Sequence, residues 1–405
     1  MTRLPRYAAL LGVAALAATA APATATPQAK GGPGTQTVRF ATFNASLNRA
    51  TEGQLVNDLS TPDDVQARNV AETIQRADPD VVLVNEFDYS PEAAELFRDN
   101  YLAVGQRGAD PIAYPYHYIA PSNTGVPSGH DLNDDGRVGG GDDAFGFGLF
   151  PGQYGMVVYS KYPIDLDRVR TFQEFRWADM PGNRIPTDYY SPAEQADLRL
   201  SSKSHWDLPI EIGRKDVHFL VSHPTPPTFD GPEDRNGRRN ADEIRFWGDY
   251  VTGGRTAAYI HDDEGGRGGL ARDARFVIAG DQNADPNDGD STDGAIHQVL
   301  DNPRVNTSHT PTSGGGVEAS ETQGGINAEH VGDPAQDTAD FAEPPGNLRV
   351  DYVLPSRNLP IRDSGVFWPT SDSPLHRLTG TYPFPTSDHR LVWADVKVAG
   401  SGTRR

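Results

Sequence analysis

The chain of 405 residues contains no cysteine. Disulfide bonds and thiolate chemistry are therefore excluded, and cysteine is removed as a nucleophile and as a metal ligand. Oxidising compartments permit disulfides without requiring them, and a chain of this length can bury a large core without such cross-links. The absence of cysteine is thus compatible with an extracellular protein.

Long apolar runs are absent beyond the first residues. There, Arg3 and Arg6 precede the short apolar segment 8–20, and the small residues of "APATATPQ" follow it. This pattern is typical of an export signal, and its apolar core is too short to span a membrane. We predict a signal peptide over 1–25, a Gly/Pro linker over 26–36, and a secreted protein without stable membrane insertion.

Basic residues are few: 36 Lys and Arg stand against 56 Asp and Glu, which gives a formal charge of -20. Without Arg3 and Arg6 the formal charge becomes about -22. Surfaces that bind polyanions usually show clustered Lys and Arg, so a general nucleic-acid-binding surface is disfavoured. A local cationic or metal-filled cleft remains compatible with this balance.

Seven runs rich in β-branched and aromatic residues predict strands. They are 37–44, 81–87, 155–162, 217–223, 276–281, 349–356 and 390–398. Helical patterns at 61–78 and 238–251 lie between some of them, and together they predict an α/β sandwich of two sheets with helices outside. We expect irregular insertions at 121–150 and 302–346, and a flexible tail over 399–405.

Several of the strand-like runs end in a polar residue. In "FVIAGDQNADP", positions 281 and 283 share one face of the strand, and this geometry could hold a metal or a phosphate, or could start a turn. Taken singly, each such residue has an ordinary structural role as a turn former or a satisfied polar group. The residues concerned are Asn44, Glu86, His223, Asp281, Asn283, Asp351, Asp388 and His389.

In this order, the motifs resemble the endonuclease/exonuclease/phosphatase superfamily, which includes deoxyribonucleases, abasic-site endonucleases, inositol polyphosphate 5-phosphatases and bacterial sphingomyelinases. "GDQNADP" is similar to the family's G-D-x-N pattern, "SDHRLVWADV" to its terminal S-D-H strand, and "VNEF" to its metal-binding strand. The resemblance covers roughly 37–398. It implies one deoxyribonuclease-like domain with a four-layer α/β sandwich, in which two mixed β-sheets are flanked by helices.

The resemblance also implies roles for the polar residues. Glu86, with Asn44 and Asp388, would bind Mg²⁺, or Mn²⁺ or Ca²⁺, because hard oxygen ligands suit such ions. His389 would take a proton from the attacking water, with Asp351 orienting its imidazole. Water attacks directly in this family, with no covalent enzyme intermediate.

The remaining roles concern the phosphate. Asp281 and Asn283 would position the nucleophile and the phosphate oxygens. His223 matches a second family histidine that hydrogen-bonds the phosphate or protonates the leaving oxygen. The deoxyribonuclease branch pairs this histidine with a Glu where this chain offers only Gln153. Weaker candidates for phosphate contact on the helix 238–251 and just before it are Arg235, Arg239 and Asn240, although solvated surface charge also explains the arginines.

The segment "DLNDDGRVGGGD" (131–142) follows the D-x-N-x-D-G calcium-loop pattern. In this reading Asp131, Asn133 and Asp135 are ligands, Arg137 contributes its carbonyl, and Asp142 stands where Glu is usual. We predict a structural Ca²⁺ that orders the insertion. The alternative is an acidic, Gly-rich surface loop.

These features predict a secreted, monomeric, divalent-metal-dependent phosphoesterase. Its substrate would be a phosphodiester or phosphomonoester: a nucleic acid, a nucleotide or a small organophosphate. Two alternatives stay open at this point. One is a noncatalytic secreted calcium-binding module on the same fold, and the other is a lipid phosphodiesterase of the sphingomyelinase type.

Overall fold

The computed structural model describes residues 35–399. The predicted signal peptide, most of the predicted linker and the tail beyond residue 399 lie outside the described residues. Within residues 35–399, no helix combines the length and the apolar character needed to cross a bilayer.

The secondary structure of the described residues alternates between strands and helices. The strands are β1 (Gln36–Asn44), β2 (Val81–Asn85), β3 (Tyr116–Ile119), β4 (Met156–Ser160), β5 (Arg170–Thr171), β6 (His205–Ile212), β7 (Lys215–Ser222), β8 (Phe276–Asp281), β9 (Ala339–Asp340), β10 (Asn347–Leu348), β11 (Asp351–Pro355), β12 (Ile361–Val366) and β13 (Val392–Val398). The helices are α1 (Gln54–Leu59), α2 (Val65–Ala77), α3 (Pro91–Phe97), α4 (Pro192–Asp197), α5 (Arg235–Thr252), α6 (His297–Leu300), α7 (Gly314–Gln323) and α8 (His376–Thr379).

Two mixed sheets form the centre of the fold. The first has the order β12-β13-β1-β2-β4-β3, and the second has the order β11-β8-β7-β6-β5. In each sheet one pair is parallel, β1 with β2 and β7 with β8, and the other pairs are antiparallel. The sheets pack face to face, with the Phe40 and Phe219 rings 5.4 Å apart between them.

Helices cover the outer faces of both sheets. Because side chains alternate along a strand, β1 turns Phe40 towards the second sheet and Phe43 towards α2 and α3. On the other side, α5 buries Phe246 and Trp247 against the outer face of the second sheet. The result is the four-layer α/β sandwich that the sequence predicts.

Strand direction brings the polar strand ends to one edge of the sandwich. β1 and β2 are parallel, so Asn44 and Asn85 lie side by side at their carboxyl ends. β11 runs antiparallel to β8, which places Asp351, the first residue of β11, directly opposite Asp281, the last residue of β8. Residues far apart in the chain therefore meet at one place.

The segment 302–346 is more ordered than the sequence predicts, because it contains α7. Ser313 caps this helix by accepting a hydrogen bond from the backbone of Gly316. The helix lies close to Trp368: a Cβ on Gly315 would sit 2.3 Å from the Trp368 carbonyl oxygen. A helix that packs through glycine has no apolar periodicity, so the sequence pattern gives no signal for it.

Candidate active site

The polar strand ends line one cleft with a volume of about 450 Å³. Those lining it are Glu86, His223, Asp281, Asn283, Asp388 and His389. Asn44 and Asp351 lie behind them and bond to members of this set. The structure thus brings together all eight polar residues that the resemblance singles out.

His389 is held between two carboxylates. Its Nδ1 lies 2.9 Å from Asp351 Oδ2, and its Nε2 lies 3.6 Å from Asp281 Oδ2. Thr338 also donates to Asp351 Oδ2, at 2.9 Å. Burial lowers the pKa of the imidazole, but the two carboxylates outweigh burial and hold this pKa well above its usual value. The neutral imidazole is therefore a strong proton acceptor.

Asp281 contacts several of the other site residues. Its Oδ2 accepts from Asn44 at 3.1 Å and lies 3.3 Å from His223 Nε2, while its Oδ1 accepts from the backbone of Asn283 at 2.9 Å. Burial raises the pKa of Asp281 to about 7, although the neighbouring His389 opposes the shift. Asn283 in turn donates its amide to the Pro224 carbonyl, 3.1 Å away.

Glu86 is a half-buried carboxylate without a salt-bridge partner in residues 35–399. Asn44 and Asn48 donate their side-chain amides to its two oxygens, at 3.1 and 2.9 Å. Burial raises the pKa of Glu86. Two neutral amides do not balance the charge of this half-buried carboxylate, so the group is suited to a bound cation.

His223 is a neutral imidazole. Burial, together with the positive charges of Lys203 and His389, holds its pKa well below the usual value. Its Nδ1 is buried and has no partner within the described part of the chain. Gln153 is not its partner, because the Gln153 amide bonds to the backbone of Arg49 and Leu149 instead.

Several cleft residues adopt strained backbone conformations. Four residues other than glycine that line the cleft have φ in the left-handed region, between 49° and 65°: Ser46, Glu86, Phe229 and Asn283. Left-handed conformations are costly for residues other than glycine and cluster at functional sites. These backbone conformations are therefore a feature expected of a functional site.

The residues predicted as weaker phosphate contacts make structural bonds in this fold. Arg239 donates to the carbonyls of Phe145, Arg199 and Leu200. Asn240 donates to the carbonyls of Thr225 and Gln282, which follow strands β7 and β8. Contact between these residues and a phosphate stays a prediction. Arg235 pairs with Glu233.

Two buried charged residues in the site have no signal in the sequence. Lys203 lies in the loop before β6 and is only 6% exposed, with no carboxylate within salt-bridge distance in the described chain. Glu243, on α5, accepts from the backbone of Ser202 at 2.7 Å and of Thr225 at 2.6 Å. This carboxylate therefore holds the Lys203 loop against the loop that follows His223.

The predicted calcium loop folds around its own backbone. Asp131 accepts from the amides of Asp135 and Gly136, and Asp135 accepts from that of Arg137. Asp143, not the neighbouring Asp142, ties the two ends together by accepting from Leu132 and Gly139, both at 2.7 Å. Calcium binding by Asp131, Asn133, Asp135, Arg137 and Asp142 stays a prediction.

One group of side chains forms a candidate metal site by spacing alone. Asp281, Asp351 and His389 offer ligand atoms that lie within 4.8 Å of one another. The same spacing also describes a hydrogen-bonded imidazole between two carboxylates. Glu86 and Asp388 face the same cleft, so carboxylate oxygens for a divalent cation are available on both sides of it.

Comparison with known proteins identifies the family. Residues 41–389 match the model of the Endonuclease/Exonuclease/phosphatase family, so the chain belongs to this family. It is a metal-dependent phosphoester hydrolase. A search of curated proteins found no match.

Solved structures with a similar fold share little sequence with the chain. A family member from Beutenbergia cavernae is 16% identical, with a TM-score of 0.48 over 91% of this chain and 73% of that one. Sphingomyelinase C from Streptomyces griseocarneus is also 16% identical, with a TM-score of 0.44 over 89% and 99%. A mutant of Staphylococcus aureus beta toxin, solved with bound magnesium ions, is 13% identical, with a TM-score of 0.41 over 89% and 99%.

Proposed function

We propose that the protein is a secreted phosphodiesterase that uses a divalent cation and acts on small organic phosphate esters by direct attack of water. The observation that carries this proposal is the convergence of Glu86, His223, Asp281 and His389 on one cleft, from four separate strand ends. Hydrolysis of a phosphodiester requires this combination of a cation site, a base and hydrogen-bond donors.

The half-buried carboxylate of Glu86 fits a cation ligand, with Asn44 and Asp388 beside it. Asn44 turns its amide nitrogen towards Glu86 and Asp281, and the oxygen and nitrogen of such an amide exchange places by a simple flip. A bound Mg²⁺, Mn²⁺ or Ca²⁺ would neutralise phosphate charge and polarise a phosphoryl oxygen.

The protein side chains then divide the remaining tasks. His389, oriented by Asp351, accepts the proton of the attacking water. Asp281 and Asn283 hold the water and a phosphate oxygen. The depressed pKa of His223 makes it a neutral hydrogen-bond donor to the phosphate, not a source of protons.

The test is hydrolysis of bis(p-nitrophenyl) phosphate, p-nitrophenyl phosphate, plasmid DNA and sphingomyelin vesicles, with Mg²⁺, Mn²⁺, Ca²⁺ or EDTA. We expect metal-dependent diesterase activity that His389→Ala lowers by at least about 100-fold. His309→Ala, at an exposed histidine outside the cleft, is the matched control. Calcium binding without turnover of any substrate would favour the noncatalytic module, and preferred release of phosphocholine would favour a lipid phosphodiesterase.

Secretion is part of this proposal and rests on residues 1–25 alone. Expression of the full chain in a bacterial host, followed by mass spectrometry of the culture medium, would locate the mature amino terminus. A start near residue 21 or 26 agrees with the proposal. Retention of the intact chain inside the cells would contradict it.

A further inference from the structure

A second cavity opens beside the catalytic cleft. Its volume is about 510 Å³, within the range of small-molecule binding sites. It shares Glu86, His223, Pro226 and Phe229 with the catalytic cleft, so the two spaces meet at the catalytic side chains. We call this second cavity the side pocket.

Apolar and aromatic side chains form about half of the lining of the side pocket, and polar or charged side chains form the rest. Phe147, Tyr154, Tyr190 and Leu198 contribute side chains to it. The Phe147 and Tyr154 rings are neighbours, with centroids 6.4 Å apart. Phe147 is 54% exposed and Phe229 is 85% exposed, although large aromatic side chains are usually buried. Such open ring faces suit stacking against a planar group.

The side pocket is held in shape by main-chain contacts of the insertion 121–150. The backbone N–H of Asn123 donates to the Lys203 carbonyl at 2.9 Å, and the Arg239 side chain donates to the Phe145 carbonyl. At Gly146 the backbone approaches so closely that a Cβ would lie 1.9 Å from the Ser202 carbonyl oxygen. The wall that carries Phe147 is thus fixed to the loop that carries Lys203.

The chemistry orients the substrate across the two cavities. His389, Asp281 and Asn283 line only the catalytic cleft, whereas Glu86 and His223 line both cavities. In phosphoryl transfer the attacking and leaving oxygens are roughly in line. Water activated at His389 would therefore expel the leaving oxygen away from His389, and the side pocket is the adjoining cavity that His389 does not line.

We propose that the side pocket binds the leaving group of the phosphodiester and selects an alcohol that carries a planar aromatic group, such as a phenol or a nucleoside. This inference rests on the proposed function. In the reaction the water oxygen forms the new bond to phosphorus and the bond to the aromatic alcohol breaks. His389 takes the proton of the water, and the alcohol leaves as an oxyanion or takes a proton from solvent, so that the products are a phosphomonoester and the free alcohol.

The test measures binding without turnover. Calorimetric titration with Mg²⁺ compares the monomethyl esters of benzylphosphonate and propylphosphonate, in which carbon replaces the leaving oxygen. A third ligand, a thymidine 5′-methylenephosphonate monomethyl ester, distinguishes a nucleoside from a simple aryl group. We expect the benzyl ligand to bind roughly tenfold more tightly than the propyl ligand, the size of one stacking contact.

Variants locate the contact. Phe147→Ala should abolish the tenfold preference, whereas Phe147→Tyr keeps a ring and should retain it. Leu149→Ala, in the same insertion and 63% exposed but outside the side pocket, is the matched control. Equal affinities in the natural protein, or a preference that survives Phe147→Ala, would overturn the inference even if bis(p-nitrophenyl) phosphate is hydrolysed. Binding with the expected preference but without hydrolysis would instead overturn the proposed function.

Discussion

Replacement of Asp351 by asparagine removes one negative charge beside His389 while changing the side-chain volume very little. Asp351 is fully buried, and its Oδ2 accepts from both His389 and Thr338 at 2.9 Å. Its Oδ1 has no partner in residues 35–399. An asparagine that keeps both bonds leaves a buried NH₂ unpaired, at about 1–3 kcal/mol. The flipped amide instead presents its N–H to His389 and forces the other tautomer of the imidazole.

Both arrangements weaken the base. We expect kcat for bis(p-nitrophenyl) phosphate to fall by roughly 10² to 10⁴, the contribution of a positioned general base, with KM nearly unchanged. Burial lowers the pKa of His389 and Asp351 is among the carboxylates that raise it. Loss of this charge therefore lowers the pKa, and the rise of activity with pH moves to lower pH.

The assay is a pH–rate profile from pH 5 to 9 at saturating metal. Asp216→Asn serves as the control, because it removes a carboxylate that pairs with Arg168 at the surface. Full activity of Asp351→Asn, or an acid limb at the position found for the natural protein, would refute the assignment of His389 and Asp351 as base and orienting group.

Three further changes test other parts of the structure. Glu86→Gln should raise the Mg²⁺ concentration for half-maximal activity at least about tenfold, because a charged ligand is lost; metal titration of the activity measures this, and an unchanged requirement would place the ion elsewhere. Gly146→Ala should lower the free energy of unfolding by about 1–3 kcal/mol, because the new Cβ meets the Ser202 carbonyl; urea unfolding measures the change, and unaltered stability would contradict the close approach. Burial lowers the pKa of His205 to about 4, from 6.5 when exposed, so the unfolded chain takes up the proton first as pH falls. Between pH 6.5 and 4 this residue should cost roughly 3 kcal/mol of stability, and a His205→Gln variant with the same pH dependence in urea unfolding would exclude it as the cause.

The sequence predicts the fold and the polar strand ends well, for a physical reason. Strand ends carry a local signal, since an apolar run stops at Asp281, His223 or Glu86. Their order along the chain then matches a family pattern. Seven strands of the two main sheets follow from the same runs, but β3, β5, β6 and β12 are not predicted. In β6, Pro209 interrupts the pattern with a residue that is rare in central strands.

Other parts of the site carry no local signal. Lys203 and Glu243 look like ordinary surface charges in the sequence, and only the packing of α5 against the loop before β6 buries them. Similarly, the sequence predicts a solvated arginine at Arg239, but its guanidinium donates hydrogen bonds to backbone carbonyls. Such residues acquire their roles from tertiary contacts, which no spacing rule encodes.

The attachment of the 121–150 insertion through main-chain atoms has a practical consequence. On the insertion itself the anchor points, such as the backbone N–H of Asn123 and the Phe145 carbonyl, are main-chain atoms, so they do not depend on which side chain stands at position 147. Positions such as 147 can therefore be exchanged without disturbing the strand ends that form the proposed catalytic site. Libraries of variants at these positions should redirect which esters are accepted while the rate-determining machinery is left intact.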